Sequence, residues 1–279
     1  MLFPIRLANI KPCLVNQMLL KEVIPADANV ILRIKQLLPM SIRISLFLLA
    51  TLLMASCSQP SVDVAKPQEK TEHSGGKLFI IGGGERSDSL MMTMIREAGF
   101  REGDYAVMLP MASEFPDSSY IAFMAEWNAV TALPCYKMVM TEADYVNHSR
   151  LDSLSKARLI FFGGGDQMRL MSVLRDTPVR DAVHQAWQGG SLIAGTSAGA
   201  AVMSQVMITG DQHFAEEYEG TYKKIWRENG VYNTGMGFLD STIIDQHFVI
   251  RSRYNRLLSA LCDYPGYMGV GIDESTAIV

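Results

Sequence analysis

The segment Gly195-Thr196-Ser197-Ala198-Gly199 decides the fold of this 279-residue chain. It follows Ser191-Leu192-Ile193-Ala194, which predicts a short buried strand, and it precedes Ala200-Ala201-Val202-Met203-Ser204, which predicts the start of a helix. A G-x-S-x-G sequence between a strand and a helix is the pattern of a nucleophile elbow, a turn too sharp for large neighbouring side chains. The hydroxyl of Ser197 then stands at a helix N-terminus, where positive partial charge favours a developing anion. The alternative is an ordinary Gly/Ser turn.

Apolar runs alternate with amphipathic stretches on both sides of this segment. We expect strands at 77–81, 105–109, 136–140, 158–162 and 191–194, and helices at 87–98, 118–130, 149–157, 168–175 and 179–188. Such alternation predicts an α/β fold with a mostly parallel sheet covered by helices on both faces. Glycine-rich turns follow three of the strands, at 82–84, 163–165 and 195–199. Ligands of such sheets bind at these carboxyl ends.

A serine hydroxyl needs a base to take its proton, and two histidines are the candidates. Each lies in the same tetrapeptide, Asp211-Gln212-His213-Phe214 and Asp245-Gln246-His247-Phe248. His247 follows Ser241-Thr242-Ile243-Ile244, a predicted strand, whereas His213 lies in a polar region that reads as a loop or insertion. Because a strand end holds a base more firmly within reach of the nucleophile, His247 is favoured.

A third group should orient the imidazole and stabilise its cation. Gly271-Ile272-Asp273-Glu274-Ser275-Thr276-Ala277 follows another apolar segment, and either of its adjacent acids could serve. Asp211, fourteen residues after Ser197, is a rival. The residues alone leave this choice open.

Composition narrows the class of partner. The net charge is −4 and no long basic run occurs, which argues against nucleic-acid binding. The four cysteines, Cys13, Cys57, Cys135 and Cys262, do not have metal-ligand spacing, so no metal is expected. Gly82-Gly83-Gly84-Glu85 lacks the spacing of G-x-G-x-x-G and of a P-loop, so no nucleotide cofactor is expected. A Cys135–Cys262 disulfide is left open.

The N-terminal region predicts a targeting segment. Residues 45–54 are a mostly apolar run, too short for a bilayer span of about 20 residues, with Arg43 before it and Ala55-Ser56-Cys57 after it. Met54-Ala55-Ser56-Cys57 resembles a bacterial lipobox, in which the cysteine is lipidated. We therefore divide the chain into an upstream extension (1–39), a lipoprotein signal peptide (40–57), a flexible tether (58–76) and a folded domain (77–279). The expected location is the cell envelope, as a periplasmic or outer-membrane lipoprotein.

Taken in order, the motifs of the folded part resemble those of the cyanophycinase and dipeptidase E family of serine peptidases, peptidase family S51. The resemblance begins at Ile80-Ile81-Gly82-Gly83-Gly84-Glu85 and extends to the end of the chain. It includes Leu109-Pro110-Met111-Ala112-Ser113, Gly163-Gly164-Gly165-Asp166-Gln167, the serine elbow, Asp245-Gln246-His247-Phe248, Arg251 to Leu257 and the segment Gly271 to Ala277.

The resemblance implies a three-layer αβα sandwich like that of class I glutaminase domains. It implies Ser197 as nucleophile and His247 as base, with Glu274 as the third member in cyanophycinases; the dipeptidase branch would point to Asp211. Backbone N–H groups of Ala198 and of Gly164 or Gly165 would form the oxyanion hole. The implied substrate pocket is lined by Gln167, Asp245, Gln246, Arg253 and Arg256.

The chain departs from the family's pattern in three places. Family members often have Arg-Gly-Arg where this chain has Arg251-Ser252-Arg253, and the region 211–230 is longer and more charged than expected. The family usually continues beyond the position of Val279, so we expect a C-terminally shortened domain. Two functions stay open: a serine peptidase acting on peptide or isopeptide bonds next to aspartyl residues, and a non-catalytic, membrane-anchored binding protein. A homodimer is also open.

Overall fold

A mostly parallel six-stranded sheet forms the centre of the computed structural model, which describes residues 2–6, 75–214 and 221–279. The strands are β1 Leu2–Arg6, β2 Leu78–Ile81, β3 Ala106–Leu109, β4 Cys135–Lys137, β5 Leu159–Phe162, β6 Leu192–Thr196, β7 Val206–Gln212, β8 Gly230–Thr234, β9 Thr242–Gln246, β10 Met268–Ile272 and β11 Ala277–Ile278. The helices are α1 Asp88–Ala98, α2 Pro116–Val130, α3 His148–Ser155, α4 Gln167–Leu174, α5 Pro178–Gln188, α6 Ala198–Ala201 and α7 Tyr254–Asp263, with a 3₁₀ helix at Glu142–Val146.

The central sheet has the strand order β11-β2-β6-β5-β3-β4, and only β11 runs antiparallel to its neighbour. Strands β9 and β10 pair in parallel, and β1 joins β10 in the antiparallel direction. Strands β7 and β8 form a separate antiparallel pair. The carboxyl ends of β2, β5, β6 and β9 each lead directly into a segment that the sequence associates with the site.

Two apolar clusters cover the two faces of the central sheet. On one face, Met91 and Met94 of α1 and Phe123 and Trp127 of α2 pack against the sheet. On the other face, the cluster draws its buried side chains from α3, α4 and α5. Alternate residues along β2 belong to different clusters, as the two-residue period of a strand requires. The predicted α/β architecture with a mainly parallel sheet is confirmed.

Most predicted elements are within two residues of the observed ones, but the predicted loop at 211–230 is wrong in part. Its first residues belong to β7, and β8 starts at Gly230. Cys135 and Cys262 are both free thiols, so they form no disulfide with each other. Burial raises the pKa of the Cys135 thiol to about 12, which keeps it protonated.

The predicted signal peptide 40–57, with Cys57, lies outside the described residues, as does nearly all of the predicted tether. The predicted extension 1–39 is described only at β1. Within the part of the chain that the structure describes, no helix is both long and apolar enough to cross a bilayer. The same residues contain no cluster of three or more histidine, cysteine or acidic side chains suited to a metal ion.

Candidate active site

Ser197 occupies a strained turn between β6 and α6. Its backbone has φ 53° and ψ −110°, a conformation that an L-residue adopts only at a cost. The two flanking glycines permit this turn. A Cβ on Gly195 would lie 2.3 Å from the carbonyl oxygen of Gly199, and a Cβ on Gly199 would lie 2.3 Å from that of Phe162. The segment is therefore a nucleophile elbow by geometry as well as by pattern.

The structure brings Ser197, His247 and Glu274 into one hydrogen-bonded row. Ser197 Oγ lies 2.8 Å from Nε2 of His247, and His247 Nδ1 lies 2.5 Å from Oε1 of Glu274. The sequence separations are 50 and 27 residues, so only the fold can produce this arrangement. A nucleophile bonded to a base, which an acid orients in turn, is the geometry of a serine hydrolase triad.

The imidazole is held by backbone geometry on both sides. His247 follows β9 with φ 48°, and its backbone N–H donates to the carbonyl of Gly82 at 2.8 Å. The turn that carries Glu274 is attached to the same glycine-rich segment, because Ser275 N–H donates to the carbonyl of Gly83 at 2.8 Å. The segment after β2 therefore aligns the histidine and the acid with each other.

Burial lowers the pKa of His247 below its ordinary value of 6.5. The hydrogen bond that Nδ1–H donates to the Glu274 carboxylate raises this pKa in part, while the positive charges of Arg251 and Arg253 lower it further. The imidazole is consequently neutral near pH 7, which is the form that can accept a proton from Ser197.

Two backbone segments flank the hydroxyl of Ser197. Ala198 is the first residue of α6, and a Cβ placed on Gly164 would lie 3.5 Å from Cβ of Ser197. Gly165 instead packs against Ala112. A Cβ placed on Gly165 would lie 2.2 Å from the carbonyl oxygen of Ala112. Among the described residues, the N–H groups of Ala198, Gly164 and Gly165 have no hydrogen-bond partner, so they can serve an oxyanion.

Four of the predicted pocket residues bind one another instead of lining an open surface. Arg256 Nε donates to Oδ2 of Asp245 at 2.9 Å, and Arg256 Nη2 donates to Oδ1 of the same carboxylate. Arg253 Nη1 donates to the backbone oxygen of Gln246 at 2.8 Å and also to its side-chain oxygen. Both guanidinium side chains are 4% exposed.

The predicted substrate-binding role of Asp245, Gln246, Arg253 and Arg256 stays a prediction, and in this structure their polar groups bind one another. A substrate would have to displace these buried contacts to reach the four side chains, and leaving a buried charge without its partner is strongly destabilising. The contacts join the end of β9, which leads into His247, to the start of α7. The sequence alone could not show this, because burial of an arginine depends on contacts between elements.

Gln167 also bonds within the protein. Its Nε2 donates to the carbonyls of Ile208 at 3.1 Å and Thr209 at 2.5 Å, so it fixes α4 to β7. The cation that sequence reasoning passed over is Arg251, which is exposed and acts on the pKa of His247. Its position four residues after His247, on the same turn, was the available signal.

Asp211 and His213, the alternative acid and base that the sequence offers, do not lie beside Ser197. Asp211 is exposed in β7, where its carbonyl accepts from the Tyr222 hydroxyl at 3.1 Å. His213 is exposed at the end of the same strand, and its N–H donates to the carbonyl of Asn229 at 2.8 Å. The structure therefore places His247 and Glu274, and not this pair, beside Ser197.

Replacing Gly83 with alanine should lower the turnover rate by about 100-fold, the typical cost of a displacement near 1 Å. A Cβ at this position would lie 2.2 Å from Cε1 of His247, so the imidazole must move. Since φ is also +116°, some loss of stability is expected and should be measured by thermal unfolding.

Gly266→Ala is the matched control. Its φ is +105°, but nothing lies within 4 Å of the added Cβ. It should therefore share the backbone strain of Gly83→Ala and keep its activity. Equal turnover in the two variants would show that contact with the imidazole is unimportant.

Comparison with known proteins identifies similar sequences. The chain is 35% identical over 219 residues to the cyanophycinase of Synechococcus elongatus, an alignment that covers 75% of this chain and 65% of that protein. It is 36% identical over 211 residues to the cyanophycinase of Trichormus variabilis, covering 72% of this chain and 66% of that protein. The chain therefore spans about two thirds of the length of these relatives.

Solved structures give the same fold. A peptidase from an acI-B1 Actinobacterium superposes with a TM-score of 0.55 at 22% sequence identity, covering 73% of this chain and 82% of that one. The model of the family named Peptidase family S51 matches residues 78–279, which include the elbow, His247 and Glu274. The chain belongs to peptidase family S51.

Proposed function

We propose that this chain is a serine peptidase that hydrolyses peptide or isopeptide bonds next to aspartyl residues through an acyl-enzyme. The observation that carries this proposal is the row Ser197–His247–Glu274, with contacts of 2.8 and 2.5 Å at the strained elbow. Membership of family S51 supports the reaction type. The names of the relatives, cyanophycinases, support an aspartyl substrate.

In the first half-reaction, the hydroxyl of Ser197 donates to Nε2 of His247 and Oγ attacks the scissile carbonyl carbon. The proton passes to Nε2, and the carboxylate of Glu274 stabilises the imidazolium through Nδ1–H. The carbonyl oxygen becomes an oxyanion, which the N–H groups of Ala198 and Gly164 can bind. Collapse of this intermediate breaks the C–N bond, and Nε2 returns the proton to the leaving amine.

In the second half-reaction, water takes the place of the amine. Nε2 of His247 accepts a proton from this water as its oxygen attacks the ester carbonyl of the acyl-enzyme. The second oxyanion uses the same N–H groups. Breaking the bond to Ser197 Oγ releases the acid product, and the proton on Nε2 restores the serine hydroxyl.

Arg251 is the residue that we assign to the substrate's acidic side chain. Arg253 and Arg256 are committed to buried partners, whereas Arg251 is exposed on the turn that follows His247. Its N–H donates to the carbonyl of His247 at 3.1 Å, which ties its backbone to the catalytic base. A guanidinium in this position can hold a carboxylate with two parallel hydrogen bonds.

Arg251→Ala should lower kcat/KM for an aspartyl substrate by about 10- to 100-fold, the usual worth of a hydrogen bond to a charged group. The loss should appear in KM and should be much smaller for the matching asparaginyl substrate. Because Arg251 lowers the pKa of His247, its removal should also shift the acid limb of the pH–rate profile to higher pH. Steady-state kinetics between pH 4 and pH 9, a range of about five units around the ordinary histidine pKa, measures both effects.

Arg96→Ala serves as the control, since this arginine lies on α1 with a side chain 70% exposed. It should leave both the KM and the pH profile unchanged. An equal loss on aspartyl and asparaginyl substrates in Arg251→Ala would contradict a carboxylate-binding role.

The proposed function is tested by hydrolysis of a β-Asp-Arg polymer and of a panel of Asp-X and β-Asp-X dipeptides. The full chain is assayed beside Ser197→Ala and is also treated with a fluorophosphonate probe. Cleavage and labelling that both depend on Ser197 would establish the serine mechanism, and the preferred substrate would define the bond.

A chain that neither labels nor cleaves would instead be a binding protein with the peptidase fold. The lipid anchor at Cys57, the envelope location and the homodimer remain predictions. Labelling with radioactive palmitate, compared between the natural chain and Cys57→Ser, tests the anchor.

A further inference from the structure

Asp273 lies beside Glu274 in the chain but has a different set of contacts. Its Oδ1 accepts hydrogen bonds from the backbone N–H groups of Val249 and Ile250, each at 3.0 Å. Both donors belong to the turn that follows His247. One acid of this adjacent pair therefore orients the imidazole directly, while the other holds the backbone behind it.

The carboxylate of Asp273 is a charged acceptor. Burial raises its pKa, but hydrogen bonds from the N–H groups of Ile250, Glu274 and Val249 lower the pKa below its ordinary value of 3.8. It is therefore ionised at every pH where a neutral imidazole can work. Hydrogen bonds to an ionised acceptor are roughly twice as strong as those between neutral groups.

The turn that Asp273 holds is a strained one. His247 and Ser252 both have φ 48°, in the left-handed region that favours glycine. Internal bonds close this turn, from Arg251 N–H to the carbonyl of His247 at 3.1 Å and from Ser252 N–H to that of Val249 at 2.9 Å. Such strain persists only where surrounding contacts over-determine the backbone.

Backbone hydrogen bonds connect the turn to the end of β10. Phe248 N–H donates to the carbonyl of Ile272 at 3.2 Å. The N–H groups of Val249 and Ile250, the next two residues of the turn, donate to Asp273. Glu274 follows immediately, with its side chain 35% exposed. Solvent access on that side means that its contact with His247 depends on accurate placement of the two backbones.

We propose that Asp273 is a positioning residue, whose carboxylate joins the turn bearing His247 and Arg251 to the turn bearing Glu274 and so fixes the distance between Nδ1 and Oε1. This inference rests on the proposed function, because it assumes that Ser197 reacts through His247. Asp273 does not itself touch the reacting atoms.

Asp273→Ala should slow fluorophosphonate labelling of Ser197 and lower kcat, each by about 10- to 100-fold, the cost of a misplacement near 1 Å. The loss in kcat should exceed any change in KM, since the Arg251 backbone keeps its own hydrogen bond to the carbonyl of His247 while the contact with Glu274 loses its support. Asp273→Asn should recover most of the rate, because its side-chain oxygen can still accept both N–H groups. The downfield proton resonance of Nδ1–H should weaken in the alanine variant and return in the asparagine variant.

Asp263→Ala is the matched control. Asp263 is also an acid that accepts a backbone N–H, that of Glu228 at 2.7 Å, together with the Tyr232 hydroxyl at 2.7 Å, but it ends α7 on another part of the domain. Its removal should lower the melting temperature and leave labelling unchanged. If Asp273→Ala does not fold, Asp273→Ser replaces it, because a serine hydroxyl is too short to reach both donors.

The outcomes separate the inference from the function on which it rests. A natural chain that the probe does not label contradicts the proposed function. Two results with a natural chain that labels would overturn the positioning role alone. One is labelling of Asp273→Ala at the natural rate. The other is a labelling rate that falls with the melting temperature to the same extent in Asp273→Ala and Asp263→Ala.

Discussion

Ser197→Ala and His247→Ala should each lower kcat by about 10⁴- to 10⁶-fold, and the double variant should be no slower than either one. The two side chains act as a unit, because the 2.8 Å contact between Oγ and Nε2 is the path of the transferred proton. Once one partner is gone, the other has no proton to give or to take. The residual rate then comes from the oxyanion hole and substrate binding alone.

His213→Ala is the control for this cycle, since it changes the same Asp-Gln-His-Phe tetrapeptide at the exposed end of β7. It should retain the natural kcat and the natural rate of probe labelling. Additive losses in the double variant, or a loss in His213→Ala comparable to that in His247→Ala, would contradict the assigned proton path.

The elbow could be predicted from sequence because its constraints are local. A strand, two nearly side-chain-free positions and a helix start lie within fifteen residues, and the structure shows why both Gly195 and Gly199 must lack a Cβ. The buried strands were predictable for a similar reason. Runs such as Leu159–Phe162 are buried throughout, so a continuous apolar segment indicates them directly.

The pocket could not be predicted in the same way. The sequence shows that Arg253 and Arg256 are cations close in the chain to His247. It does not show that their guanidinium groups donate hydrogen bonds to Gln246 and Asp245. The relevant contacts join the end of a strand to the start of a helix, across a turn whose path depends on left-handed backbone at His247. The exposure of the Arg251 side chain, which makes it the proposed carboxylate-binding residue, depends on the path of the same turn.

The choice between Asp273 and Glu274 was open for a related reason. Adjacent side chains leave a backbone in different directions, and which of them meets His247 depends on how the chain turns after β10. The structure has φ 53° at Ser275, with its N–H bonded to Gly83. This turn directs Glu274 to the imidazole and Asp273 to the backbone of the facing turn.

Glu274→Gln should lower kcat by about 10²- to 10⁴-fold while leaving the fold intact. The upper figure is the cost of the corresponding amide substitution in a buried serine-protease triad. We expect a smaller effect here because the Glu274 side chain is 35% exposed, so water can replace part of its contact. The physical reason is tautomeric: an amide N–H donated to Nδ1 favours the imidazole with its proton on Nε2, which cannot accept from Ser197.

The pH–rate profile gives this prediction a second, independent readout. The hydrogen bond that His247 donates to Glu274 raises the pKa of His247. Its loss should therefore move the acid limb to lower pH, opposite to the shift expected for Arg251→Ala. Asp211→Asn is the matched acid-to-amide control, and it should change neither kcat nor the profile, because Asp211 lies exposed in β7. The reverse pattern, with Asp211→Asn inactive and Glu274→Gln near the natural rate, would assign the third position to the acid after the serine, as in the dipeptidase branch. The opposed shifts are expected because burial and two arginines lower the pKa of His247, whereas its hydrogen bond to Glu274 raises this pKa in part. The imidazole is therefore neutral at rest and can still hold the proton of Ser197 during attack.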